Sequence, residues 1–231
     1  YAFEPNPDMI ETINDTIKLN PTDLHNKIFD HLIARELRFK PRVKTSARLR
    51  DGYWFIGNDD YLNLSFWDGY DPHRNIHRIG FAYDFNGDKE VYVNFSARDN
   101  ESEALVLNDL ATKLNAQHIT PNYCRKTLGK NVTNSSDVVR LLDNFIDEDK
   151  PLIDEFIPRF DTISYINQEK FIRNIARIND ARLALGYLEV PNKLTIKPRK
   201  RKNVRGGTTN KSVQTHLRKR LAELIIVQSR H

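Results

Sequence analysis

The sequence predicts an α+β domain: an antiparallel β-meander packed by helices, giving way to a helical C-terminal half. Three observations lead there. Tyr61 to Trp67 and Val91 to Ser96 alternate apolar and polar side chains with the period of two that marks a half-buried strand. Flanking segments repeat apolar residues at helical spacing instead. The turns between strands are short, which makes consecutive strands antiparallel neighbours.

Each element has its own signals. Asn20-Pro21-Thr22-Asp23 supplies an N-cap, a first-turn proline and an early acid, and Leu24, Ile28, Phe29 and Leu32 then share one helical face. After Pro41 the pattern becomes that of strands. Leu62, Leu64 and Phe66 alternate with Tyr61, Asn63, Ser65 and Trp67; Ile79, Phe81, Tyr83 and Phe85 alternate with Gly80, Ala82 and Asp84; Val91, Val93 and Phe95 alternate with Tyr92, Asn94 and Ser96. Turns are marked at Gly57 to Asp60, at Asp68-Gly69 and at Asn86-Gly87-Asp88. Helices return with a capping-box pattern at Asn100 and Glu103, followed by the stripe Leu107, Leu110, Ala111 and Leu114. Ser136 is placed to cap a helix using Val139, Leu142 and Phe145, and Phe171, Ile175 and Ile178 mark a longer one.

At 231 residues the chain can bury a real core, and no run approaches the roughly 18 apolar residues of a membrane span. The single cysteine, Cys124, forms no internal disulfide, and no signal-peptide pattern opens the chain, so a cytoplasmic protein without a membrane partner is expected. Seven Asn-x-Ser/Thr sequons begin at Asn14, Asn63, Asn94, Asn100, Asn131, Asn134 and Asn210; in so asparagine-rich a chain they read as coincidence. The chain opens on Tyr1 and ends at His231 inside an amphipathic pattern, THLRKRLAELIIVQSRH, as expected of a module from a longer protein. The expected division is a recognition domain over 1–192, a basic linker over 193–211, and the start of a further helix or downstream domain over 212–231.

Charge is unevenly distributed. Residues 193–231 hold 12 of the 36 Lys/Arg and one of the 31 Asp/Glu, so the net +5 of the chain hides a segment of +11 and a remainder of −6. Lys197, Arg199, Lys200, Arg201, Lys202 and Arg205 lie in that segment beside Gly206-Gly207. A second cluster, Arg38, Lys40, Arg42, Lys44, Arg48 and Arg50, falls at even spacing and forms one cationic face if extended. Both are suited to phosphates, whose contacts dominate nucleic-acid affinity without reading sequence. A solvated linker, a localisation signal or a charged edge strand explains the same residues without a ligand.

Catalytic signals are weak. Cys124 has no nucleophile motif around it, and no G-x-S-x-G, G-x-G-x-x-G or Walker A sequence occurs, so no cofactor is expected. Asp71, His73 and His77 have a metal-like spacing, and Asp84 to Asp88 resembles part of a calcium loop without its closing Glu. Asp143 with Glu148-Asp149-Lys150 is the nearest approach to a nuclease motif, but it falls at a helix boundary beside Pro151. Any nuclease activity is expected in a downstream domain.

Alternation sends Asn63, Ser65, Trp67, Tyr92, Asn94 and Ser96 to the sheet face opposite the core, where rings could stack on a base and amides or hydroxyls bond its edges. Of these Asn63, Ser65, Trp67 and Tyr92, together with Trp54 and Tyr70, are the candidate base contacts, the tryptophans being equally at home under a helix. The pattern YWFIGNDDYLNLSFWDG, followed by a basic connector and a new helix, loosely resembles the N-terminal recognition modules of bacterial restriction and phage-defence proteins. That resemblance implies a duplex-DNA partner, a downstream nuclease or motor domain and an aromatic pocket for a flipped base. The alternatives are a protein-interaction or scaffold module and a divergent metal-dependent nuclease.

Overall fold

The computed structural model describes residues 19–42, 52–98 and 100–187. In chain order they form α1 (Pro21–Ala34), β1 (Ile56–Gly57), β2 (Tyr61–Leu64), β3 (Trp67–Asp68), β4 (Tyr70–Asp71), β5 (Ile76–His77), β6 (Ile79–Asp84), β7 (Val91–Ser96), α2 (Glu101–Leu114), β8 (Gln117–Thr120), β9 (Tyr123–Gly129), α3 (Ser135–Asn144), α4 (Lys150–Phe156), β10 (Ser164–Tyr165) and α5 (Gln168–Ala184). This is the α+β fold the periodicities predict.

The main sheet has six antiparallel strands in the order β1-β2-β6-β7-β9-β8. Two features interrupt the simple meander. β3 to β5 leave the sheet between β2 and β6, and the hairpin β8–β9 inserts so that β9, not β8, pairs with β7. Leu62 and Leu64 lie opposite Tyr83 and Phe81, which in turn face Val91 and Val93; all six are buried, as alternation requires.

Four helices carry the asparagine caps their termini need. Asn20, Asn100, Asn134 and Asn167 each accept from the backbone N–H two or three residues on, at 2.9, 2.7, 2.8 and 3.0 Å. The third corrects the cap expected at Ser136: Asn134 satisfies Asp137 N–H, so α3 starts two residues earlier. Glu103 does not close a capping box either. Its fully buried carboxylate accepts from Arg98 N–H at 2.7 Å, the Thr162 hydroxyl at 2.7 Å and the Arg78 guanidinium at 3.3 Å, tying α2 to three connecting segments.

Between α3 and α4, Phe145–Asp149 forms one π-helical turn, closed by Lys150 N–H bonding Phe145 O. Pro151 explains it: a proline two residues into α4 has no N–H for an i→i−4 bond and crowds the carbonyl of Asp147, which widening the turn relieves. Phe145 thereby reaches the inner sheet face, 5.9 Å from the Phe81 ring and 6.1 Å from Phe66.

The expected strand Tyr61 to Trp67 stops at Leu64. Ser65 Oγ accepts from Trp67 N–H and donates to Trp67 O, both at 3.0 Å, a local link that replaces the ladder. β3 then pairs with β10 in a separate two-stranded sheet.

Candidate nucleic-acid interface

The outer face of the main sheet carries Tyr61, Asn63, Gly80, Ala82, Asp84, Tyr92, Asn94, Ser96, Tyr123 and Arg125 by register. One half of it is closed. His77 N–H donates to Asn63 Oδ1 at 2.8 Å, Asn63 Nδ2 to Asn94 Oδ1 at 2.7 Å, and Asn94 Nδ2 to His77 O at 2.7 Å. This ring of three hydrogen bonds clamps the hairpin β4–β5 onto the sheet. Gly80 leaves room for it, because a Cβ there would lie 2.7 Å from Asn63 Nδ2.

The other half is open. Asp60, Tyr61, Arg74, Ile76, Asp84, Asn86, Tyr92, Tyr123 and Arg125 line a groove of about 490 Å³. The Arg125 guanidinium lies 3.7 Å from the Tyr92 ring centroid, and Arg74 lies 4.7 Å from that of Tyr123. Each cation is held by a carboxylate behind it, Arg125 by Glu90 at 3.1 Å and Arg74 by Asp71 at 2.9 Å. Arg125 Nε is buried and makes no hydrogen bond among the described residues. The Tyr92 hydroxyl donates to Asp84 Oδ1 at 3.3 Å. Burial raises the Asp84 carboxyl above its ordinary value, with nearby Arg125 pulling it down and Glu90 adding to the rise. Tyr70 donates to Asn75 Oδ1, and Asn75 Nδ2 donates to the Tyr61 hydroxyl at 3.2 Å.

Several expected base contacts are corrected by burial. Asn63 and Ser65 are 0% and 1% exposed, and their polar atoms are spent on the clamp and on Trp67, so they cannot read a base edge. Trp67 is 1% exposed because the break at Ser65 turns it beneath α4, where Nε1 donates to Asp154 at 2.8 Å. Trp54 stacks on Phe29 at 3.8 Å between α1 and α5, its Nε1 donating to Asn26 at 3.2 Å. Tyr92 lines the groove, Tyr70 does not and instead bonds Asn75, and both tryptophans belong to the core.

The first basic cluster does not present one cationic face. Arg38 is exposed and donates to Ile166 O at 3.2 Å, Lys40 is paired with Asp68, and Arg42 is 5% exposed beside the Tyr53 ring. Lys44, Arg48 and Arg50 lie outside the described residues, as do Lys197, Arg199, Lys200, Arg201, Lys202 and Arg205 and the expected linker and terminal helix.

The candidate catalytic acids are dispersed among structural ion pairs. Asp143 bonds His31 at 2.7 Å and Arg35 at 2.5 Å, Asp149 bonds Lys126 at 2.6 Å, and Lys150 bonds Asp154 at 2.6 Å. A turn separates exposed His73 from fully buried His77. No group of three His, Cys, Asp or Glu able to hold a metal occurs among the described residues. Burial pushes the Cys124 thiol up to about 11, and its sulfur lies 3.2 Å from His118 Nδ1. No helix among the described residues is long and apolar enough to cross a membrane.

Sequence reasoning missed Arg74, Tyr123 and Arg125 as groove residues. The signal for two of them was present: Tyr123, Arg125 and Thr127 alternate with Cys124, Lys126 and Leu128 after the turn at Pro121-Asn122. Comparison with known proteins adds no relative: no family model, curated protein or solved structure matches the chain.

Proposed function

We propose that the chain is a DNA-binding recognition module, cytoplasmic and of the restriction or phage-defence type, whose outer-sheet groove receives a base while basic segments hold phosphates. One observation carries the reading: the Arg125 guanidinium lies 3.7 Å from the Tyr92 ring centroid in an open groove that also holds Arg74, Tyr61 and Tyr123. Bases stack on guanidinium planes as well as on rings, and the carboxylates and Asn86 supply edge acceptors. The described residues hold 20 Lys/Arg against 23 Asp/Glu, a net −3, so the positive excess belongs to the remaining segments. Those segments supply the counterion-releasing contacts.

Fluorescence anisotropy with labelled single strands and duplexes across a salt series tests this. Binding is expected to weaken with salt, with a shallower slope once Lys197, Arg199, Lys200, Arg201, Lys202 and Arg205 are replaced by serine. Absence of binding at low salt rejects the DNA reading, and an unchanged slope rejects the phosphate role of that segment.

A second reading has one observation of its own. β8 is an edge strand with all four residues exposed, Ile119 at 54%, which suits a protein partner adding a strand. Salt-insensitive partner binding abolished by Ile119→Pro, with no DNA affinity, would favour it.

A further inference from the structure

We propose that the groove selects guanine, holding the ring N–H and amino donors of that base on the Asp84 carboxylate. This rests on the DNA reading above and adds to it the identity of the base. The groove's volume of about 490 Å³ suits one base and not a duplex, so the base arrives from a single strand or by extrusion.

The argument starts from what each lining group can donate or accept. A carboxylate only accepts, through two oxygens. Among the described residues Asp84 receives one side-chain hydrogen bond, from the Tyr92 hydroxyl to Oδ1, leaving acceptor capacity on both oxygens. Asp60 accepts from Asn86 Nδ2 at 2.6 Å and from Asn58 Nδ2 at 3.2 Å, so it is the more heavily used of the two acids lining the groove. Guanine places two adjacent N–H donors on one edge. Adenine and cytosine each place an amino group beside a ring-nitrogen acceptor, which a carboxylate repels. Thymine sets its single N–H between two carbonyls. Two adjacent donors meet the two oxygens of Asp84 only in guanine.

The cations complete the fit. Arg125 is already seated on Tyr92, so its opposite face is the platform on which a base stacks, extending the ring and guanidinium pair by one layer. Arg74 lines the same groove and carries donors suited to the O6 and N7 acceptors, the commonest arginine contact to guanine.

The test uses the full chain and single-stranded thymidine oligonucleotides bearing one central guanine, adenine, cytosine, thymine or hypoxanthine, read by anisotropy. Guanine is expected to bind about 5- to 150-fold more tightly than the other three, the span of one good bidentate contact. Hypoxanthine, which lacks the amino group, falls between. Asp84→Asn is expected to remove the preference. Equal affinity for all five bases, or a guanine preference that survives Asp84→Asn, overturns the proposal and leaves DNA binding standing. No binding of any oligonucleotide rejects the DNA reading itself. The hypoxanthine comparison needs no variant, so equal binding of guanine and hypoxanthine counts against the Asp84 contact even if Asp84→Asn fails to fold.

Discussion

The two halves of the outer sheet face are built from the same kinds of residue and do opposite things. In the half under the β4–β5 hairpin, Asn63, Asn94 and the His77 backbone satisfy one another in a closed ring, and both side chains have no exposure. In the half around Tyr92, Arg74, Tyr92 and Arg125 line an open groove while bonded to the carboxylates of Asp71, Asp84 and Glu90. Polarity on a sheet face therefore does not mark a binding surface. What marks it is polarity left uncovered by the hairpin, since unpartnered atoms occur in both halves among the described residues: His77 Nδ1 and Nε2 under the hairpin, Arg125 Nε beside the groove.

The closed half should answer to stability and the open half to ligand. Asn94→Ala strands the Asn63 amide and the His77 carbonyl, and urea titration should record a loss of roughly 2–4 kcal/mol. A loss below about 0.5 kcal/mol, the range of an ordinary surface substitution, would mean that the ring is decorative.

The next largest effect concerns acid. His77 is held at a pKa of about 3 by burial, assisted by Lys40, against an ordinary value of 6.5. Only the unfolded chain takes up its proton between those values, so the stability it contributes is full above about 6.5 and falls as pH drops toward 3. At pH 5 the loss should be about 2 kcal/mol. His25, lowered by burial with Arg42 and Arg182 nearby, adds in the same direction. His77→Leu should flatten the pH dependence of unfolding between pH 7 and 5; an unaltered slope would show that the imidazole titrates normally.

In the open half the ranking reverses. Arg125→Ala removes a half-buried ion pair and should move stability by no more than about 1 kcal/mol. Oligonucleotide affinity should fall about tenfold, as for one lost stacking contact. A large stability loss with unchanged binding would erase the distinction between the halves.

The sheet, its inner face and the helical stripes were legible because period-two and helical patterns follow directly from which side chains must be buried. Leu62, Leu64, Val91, Val93, Leu107, Leu110 and Ile175 all occupy the expected core. The outer face was legible in its residues and not in its division. Alternation identified Asn63, Asn94 and Tyr92 as companions, but the clamp depends on a hairpin folding back over the sheet, a non-local event. Trp67 was misplaced because Ser65 bonds its own neighbour's backbone, a competition invisible to periodicity. Arg125 was missed because its strand alternates rings, cations and hydroxyls without a strong apolar run.

The ring of amide bonds at the base of the β4–β5 hairpin separates anchorage from display. Asn63 and Asn94 grip the hairpin at His77, while Pro72, His73 and Arg74 at its tip are exposed, their turn held by Asp71 bonding His73 and Arg74 N–H at 3.0 and 3.3 Å. A tip anchored this way can be rewritten, lengthened or labelled without asking the sheet to refold. Apart from Arg74, which lines the groove, it is a cassette and the natural position at which to graft a reporter.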